Sequence, residues 1–252
     1  MNFPREYQLD EKTGNWTYKG FECVAHMTCP EHGKYPCVYR DADGLYHTIN
    51  DKRCPICYRN EVIEREIGRA CIPARFKTKT FENFETPEAW QKMAKETVRS
   101  YAEQFPENLA HGRCMLFLGN VGTGKTHLAS ALLRSVIEQG YTGAFVGAGD
   151  LIADIRDTWR PNSEMSPRAL TRRYIDMDLL VIDEIGVQRG TENEREILFS
   201  ILNNRYNGLR PTVLLSNFNT EDVKRYVGER VYDRLKEDGG LVIPFSGRSY
   251  RK

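Results

Sequence analysis

The octapeptide Gly119-Asn120-Val121-Gly122-Thr123-Gly124-Lys125-Thr126 constrains this chain more than any other segment. It satisfies the G-x-x-x-x-G-K-[ST] spacing in full, in the context that gives the spacing a mechanism. Ahead of it runs the apolar stretch Met115-Leu116-Phe117-Leu118. Behind it, from His127 to Gln139, apolar residues fall at 128, 132, 133, 136 and 137 before Gly140 closes the pattern. That order is a buried strand, a tight loop and a helix stopped by glycine. The glycines let successive backbone N–H groups turn inward, so the loop wraps a phosphate and presents it to a helix N-terminus. Lys125 is the point charge for the β- and γ-phosphates, and the Thr126 hydroxyl is a magnesium ligand. The phosphate-binding set is therefore Gly119 to Thr126 with the adjoining His127.

Two further apolar runs belong to the same architecture. Leu179-Leu180-Val181-Ile182 ends in Asp183-Glu184, and Thr212-Val213-Leu214-Leu215-Ser216 ends in Asn217. Continuous apolar runs are the signature of strands buried on both faces of a parallel sheet, whose carboxyl ends form the ligand crevice. At such an end Asp183 holds magnesium and Glu184 polarises the attacking water, which implies a nucleoside triphosphatase rather than a kinase. The Asn217 amide can sense the γ-phosphate or align the water, although on spacing alone Asn217-Phe218-Asn219 is also compatible with a plain turn. Gly143 to Val146 predicts another strand, and Asp150 is expected to cap a helix from Leu151 to about Trp159. Thr86-Pro87-Glu88 predicts a helix from Pro87 to about Phe105, with Thr86 as its N-cap.

Five of the seven cysteines (Cys23, Cys29, Cys37, Cys54 and Cys57) fall in the first 60 residues. No apolar stretch approaches a membrane span, and the N-terminus lacks an apolar signal core, so the reading is a cytosolic, non-membrane protein. In a reducing compartment clustered thiols are metal ligands rather than disulfides. Cys54-Pro55-Ile56-Cys57 is a C-x-x-C knuckle and Cys29-Pro30-Glu31-His32 its C-x-x-H counterpart, and together they supply the four ligands of a structural zinc. Cys23-x-x-His26 is a second C-x-x-H and Cys37 lies within reach. The set Cys29, His32, Cys54 and Cys57 is preferred because each pair sits in a Pro-containing turn. Between the pairs, Tyr35 to Ile49 reads as a hairpin around Asp43-Gly44, the body of a zinc ribbon. A helical connector from Arg59 to Ala70 follows. The expected division is a zinc-binding unit over 1–70 and a nucleotide-binding unit over 71–252. With 36 Lys and Arg against 35 Asp and Glu, any nucleic-acid contact has to come from a local patch.

The ordered motifs resemble a family. The phosphate loop, Val181-Ile182-Asp183-Glu184-Ile185-Gly186, Ser216-Asn217 and Gly228-Glu229-Arg230-Val231-Tyr232-Asp233-Arg234-Leu235 are similar, over about residues 72 to 252, to the DnaC/DnaI-type AAA+ replicative helicase loaders. The resemblance implies an α/β fold, a AAA+ P-loop NTPase core of parallel sheet with helices on both faces, beside a small N-terminal zinc-ribbon-like domain. That zinc module departs from the helical N-terminus of DnaC and is closer to that of DnaI and phage-borne loaders. The implied activity is an ATPase, with ATP, Mg2+ and Zn2+ as cofactors, that loads a hexameric DnaB-type helicase onto single-stranded DNA. The implied roles are sensor 1 for Asn217, a trans-acting arginine finger for Arg234 and sensor 2 for Arg251. A finger acting in trans requires a homo-oligomer. From spacing alone, Arg230 and Arg234 are surface charges about a helical turn apart. Residues 160 to 173, with Arg168, Arg172 and Arg173 beside Trp159 and Tyr174, stand where such loaders contact single-stranded DNA, and read without the family they are equally a solvated connector. The alternative with the same core is an IstB-type transposition ATPase that binds duplex DNA.

Overall fold

The computed structural model describes residues 7–9, 16–49, 53–188 and 190–250, with 7–9 and 16 described in their backbone only. The chain divides into two compact units, Met1–Glu66 and Ile67–Lys252.

In the first unit, five antiparallel strands form a sheet in chain order: β1 (Tyr7–Leu9), β2 (Trp16–Tyr18), β3 (Phe21–Cys29), β4 (Gly33–Arg40) and β5 (Tyr46–Thr48). The sequence patterning points only to the β4–β5 hairpin. Its turn is closed by Asp41, whose Oδ1 accepts from the backbone N–H of Asp43 (3.0 Å) and Leu45 (2.8 Å). Among the described residues its buried apolar cluster consists of Cys29, Tyr35 and Cys54, with Ile56 and Cys57 against it, and Ile49, Val62 and Ile63 are the aliphatic residues it buries besides. So few aliphatic groups contribute little against the entropy of ordering the chain. Helix α1 (Pro55–Arg69) begins immediately after Cys54, earlier than the expected connector, with Pro55 preorganising its first turn.

The second unit contains α2 (Ala89–Glu103), α3 (Phe105–Ala110), β6 (Met115–Gly119), α4 (Lys125–Glu138), β7 (Gly143–Gly147), α5 (Ala148–Asp157), α6 (Pro167–Asp176), β8 (Leu179–Ile185), α7 (Glu192–Asn207), β9 (Thr212–Ser216), α8 (Thr220–Val227), α9 (Glu229–Lys236) and β10 (Leu241–Phe245). Its strands form an all-parallel sheet in the order β10-β6-β9-β8-β7. Leu116, Leu118, Leu180, Ile182 and Leu214 pack with apolar residues of α5, α7, α8 and α9. The alternate positions Met115, Phe117, Leu179, Val181, Val213 and Leu215 are also buried, on the opposite face by the two-residue period. Burial on both faces explains why these strands read as unbroken apolar runs.

Two local expectations are corrected. Helix α2 starts at Ala89 with Glu88, not Thr86, at its N-cap, and the side chain of buried Gln91 accepts from the Glu88 N–H (3.0 Å). Helix α5 starts at Ala148 on Gly147 and ends before Trp159, so Asp150 lies inside its first turn, where a carboxylate meets the positive end of the helix dipole. Strand β10 and helix α7 were not anticipated. β10 carries Pro244, which cannot donate to a ladder, and is tolerated as an edge strand paired only with β6. On α7, Arg205 is completely buried. Its Nε donates to Thr212 Oγ1 (2.9 Å) and its Nη1 to the carbonyls of Tyr174, Ile175 and Met177 (2.8, 2.9 and 2.8 Å). Nη2 donates to the Pro211 carbonyl. The guanidinium thus satisfies the open carbonyls at the end of α6 and ties them to the start of β9.

Candidate nucleotide site and candidate metal centre

Strand β6 delivers the phosphate loop between β9 and β10. Lys125 is buried and its Nζ donates to the carbonyls of Gly119 (2.6 Å) and Asn120 (2.7 Å). Gly124 stands in the left-handed region (φ 101°) directly under the Phe84 ring, where a Cβ would come within 2.6 Å of Cε2. His127, one residue past Thr126, does not face open loop. Its Nε2 pairs with the Thr80 carbonyl (2.9 Å) and its ring meets Phe84 edge-on. Burial lowers its pKa, which keeps the imidazole neutral beside a phosphate site.

At the end of β8 the predicted acidic pair meets the loop. Thr126 Oγ1 donates to Asp183 Oδ2 (3.0 Å), so a hydroxyl and a carboxylate stand side by side as hard oxygen donors that fit magnesium. The other Asp183 oxygen accepts from the Glu184 N–H (2.7 Å). Glu184 has φ 61°, a conformation a non-glycine residue rarely adopts. Thr126, Asp183 and Glu184 line a cleft of about 510 Å³ together with Asp150, Arg173 and Tyr174. If Glu184 is the acceptor for the water proton, Glu184→Gln removes it and leaves nucleotide binding alone. The expected result is ATP binding within about twofold of the parent and hydrolysis at least ~10²-fold slower, in line with loss of a general base. Normal turnover in a single-turnover assay removes Glu184 from the chemistry.

The remaining predicted residues are dispersed. Asn217 is exposed at the end of β9, next to β8 and β6 in the sheet. Arg234 on α9 donates to Asn203 Oδ1 and lies over the Tyr206 ring (4.8 Å), both on α7. Arg251 lies outside the described residues. Sequence reasoning missed the segment after β10, which runs along the phosphate loop. Asn120 N donates to the Phe245 carbonyl (3.1 Å), Asn120 Nδ2 to that of Gly247 (3.1 Å), and Tyr250 N to that of Gly122 (2.9 Å). Glu88 anchors this segment by accepting from Tyr250 Oη (2.6 Å) and Trp90 Nε1 (2.7 Å). No local pattern marks these partners, since they are far apart in the chain.

In the first unit, Cys29, His32, Cys54 and Cys57 place one ligand atom each within 4.8 Å of all the others. Cys29 Sγ lies 3.6 Å from Cys57 Sγ and 3.7 Å from His32 Nδ1, and His32 Nδ1 lies 3.8 Å from Cys54 Sγ and 3.3 Å from Cys57 Sγ. Bonds of tetrahedral zinc imply ligand–ligand edges of about 3.3–3.8 Å. Three thiols and one imidazole at these separations fit that ion. The backbone N–H groups of Glu31 and His32 pull the Cys29 thiol down, whereas its pairing with Cys29 pushes Cys57 up. Cys23, His26 and Cys37 are not in the cluster.

No helix among the described residues is long and apolar enough to cross a membrane. The family model described as IstB-like ATP binding protein matches residues 62–252. The replicative helicase loader DnaC of Escherichia coli (strain K12) is 35% identical over 189 residues, which is 75% of this chain and 76% of that protein. The crystal structure of the DnaC helicase loader superposes with a TM-score of 0.62 at 24% identity, covering 69% of this chain and 99% of that one. The crystal structure of DnaI gives 0.60 at 15% identity, covering 72% and 95%. These likenesses show an AAA+ fold. The chain belongs to the IstB-like ATP-binding family and, within it, is similar to the DnaC/DnaI-type helicase loaders.

Proposed function

We propose that this chain is an ATP-dependent replication protein that loads a DnaB-type hexameric helicase onto single-stranded DNA in the cytoplasm. The observation that carries the reading is the junction of Thr126 and Asp183 (3.0 Å) at the phosphate loop, on a chain whose similarity to DnaC extends over 75% of its length. ATP and Mg2+ bind there, Glu184 directs water at the γ-phosphate to give ADP and phosphate, and Asn217 reads the γ-phosphate. Arg234 completes the site of a neighbouring copy, for which it leaves Asn203 and Tyr206. Arg251 adds a second cation from the end of the chain. The zinc-held unit docks the helicase.

Single-stranded DNA fits the groove between α5, α6 and α7, where the exposed Trp159 stands with Arg168 and Arg172. A half-exposed indole offers a base-stacking face and the guanidinium groups meet phosphate charge. Capture of purified helicase by the full chain with ATP, and by a version lacking residues 1–66, tests the reading. Capture by the full chain alone, with ATP raising its affinity for single-stranded DNA, is the expected result. Failure of both versions to hold helicase, with ATP-dependent binding of duplex DNA, replaces the loader by a transposition-type ATPase.

A further inference from the structure

At the end of β8 the chain makes a tight turn. Glu184 (φ 61°) and Gly186 (φ 96°) both lie in the left-handed region. For Glu184 this crowds Cβ against the following carbonyl, and such a residue persists only where its surroundings over-determine it. The Ser216 hydroxyl donates to the Ile185 carbonyl (2.6 Å). The Phe218 ring presses on Gly186, where a Cβ would stand 2.2 Å from Cε2. The Val187 N–H closes the turn on the Glu184 carbonyl (3.2 Å), and the Gln188 side chain braces it: its Nε2 donates to the same carbonyl (3.0 Å) and its Oε1 accepts from the Gly186 N–H (3.3 Å). Tyr226 on α8 donates its hydroxyl to the same Oε1 (3.0 Å). Two donors on one side and a carbonyl on the other define the amide's orientation, and a primary amide is the group that serves both at once.

We propose that Gln188 is a positioning residue for ATP hydrolysis. It holds the Glu184 backbone in the left-handed conformation that keeps the Glu184 carboxylate at the cleft with Thr126 and Asp183. This rests on Glu184 being the group that polarises water. A base acts only within hydrogen-bond reach of its proton, so a turn relaxed to negative φ withdraws the carboxylate while the phosphate contacts of Lys125 and Thr126 persist. Tyr226 and Phe218 both belong to the segment that follows Asn217, and their rings meet edge-on (6.4 Å). The same bracket therefore ties Glu184 to the end of β9.

The test uses full-length Gln188→Ala, with single-turnover hydrolysis of Mg-ATP and equilibrium binding of a non-hydrolysable ATP analogue. The cost of the left-handed conformation predicts a hydrolysis rate about tenfold lower or more, with analogue affinity within about twofold. In the Glu184→Gln background, Gln188→Ala produces no further loss, because it acts through a group already removed. Tyr226→Phe deletes one hydroxyl with no cavity and shows the same split, with roughly threefold slower hydrolysis. An unchanged rate in both variants, a parallel fall in analogue affinity, or losses that multiply in the Glu184→Gln background each overturn the positioning role. A parent chain that binds but never hydrolyses ATP overturns this proposal together with the reading of Glu184; a hydrolysing parent with an unaffected Gln188→Ala overturns this proposal alone.

Discussion

Lys125→Ala weakens ATP binding by at least ~10²-fold in a titration with a fluorescent ATP analogue. Charge-assisted hydrogen bonds contribute about 1.5–3 kcal/mol each, and the two such contacts proposed for Lys125, to the β- and γ-phosphates, would amount to ~3–6 kcal/mol, or roughly 10²–10⁴ in Kd. The loop itself persists, because its path is set by Gly124 under Phe84, by the Thr123 hydroxyl on the Asn120 carbonyl (2.7 Å) and by Tyr250 on Gly122. Circular dichroism of the variant therefore matches the parent. Unchanged ATP affinity would place the nucleotide somewhere other than this loop.

Removal of a metal held by Cys29, His32, Cys54 and Cys57 is expected to have the second large effect, confined to the first unit. A structural zinc contributes apparent free energies on the order of 10–16 kcal/mol at neutral pH. The buried cluster of Cys29, Tyr35 and Cys54 offers no comparable alternative. Chelation by EDTA is expected to unfold the strands of residues 16–49, seen as loss of amide dispersion for that segment in NMR spectra. Nucleotide affinity of the second unit stays within about twofold, since none of Lys125, Thr126 or Asp183 draws on the metal. Metal affinity also falls as the pH is lowered, because protons compete for three thiolates and an imidazole. A first unit that keeps its spectrum in EDTA, with no zinc detected by elemental analysis, refutes structural zinc.

Several parts of this molecule were legible before any coordinates. The phosphate loop is one, because its chemistry depends on backbone N–H groups of consecutive residues and so must be written contiguously. The C-x-x-H and C-x-x-C pairs are another, since two ligands must leave one turn to meet one ion. Strands β6, β8 and β9 announced themselves because burial on both faces leaves unbroken apolar runs at their centres, with polar residues only at their ends. Each of these signals is local, carried by a spacing of two to eight residues.

Other features had no such signal. Arg205 reads as one more charge on a polar helix, yet it is completely buried, because carbonyls of α6 and of Pro211 happen to converge on it. Glu88 displaces Thr86 as the cap of α2 where Trp90 and Tyr250 both donate to it. Gln188 matters only because the chain beyond β8 folds back and brings Tyr226 to it. The amino-acid sequence by itself determined which chemistry the chain carries and on which contiguous segments. The tertiary structure decided the capping, the buried cation and the orientation of Glu184, because these depend on hydrogen bonds between residues distant along the chain, which only the packing of the sheet and its helices brings within reach.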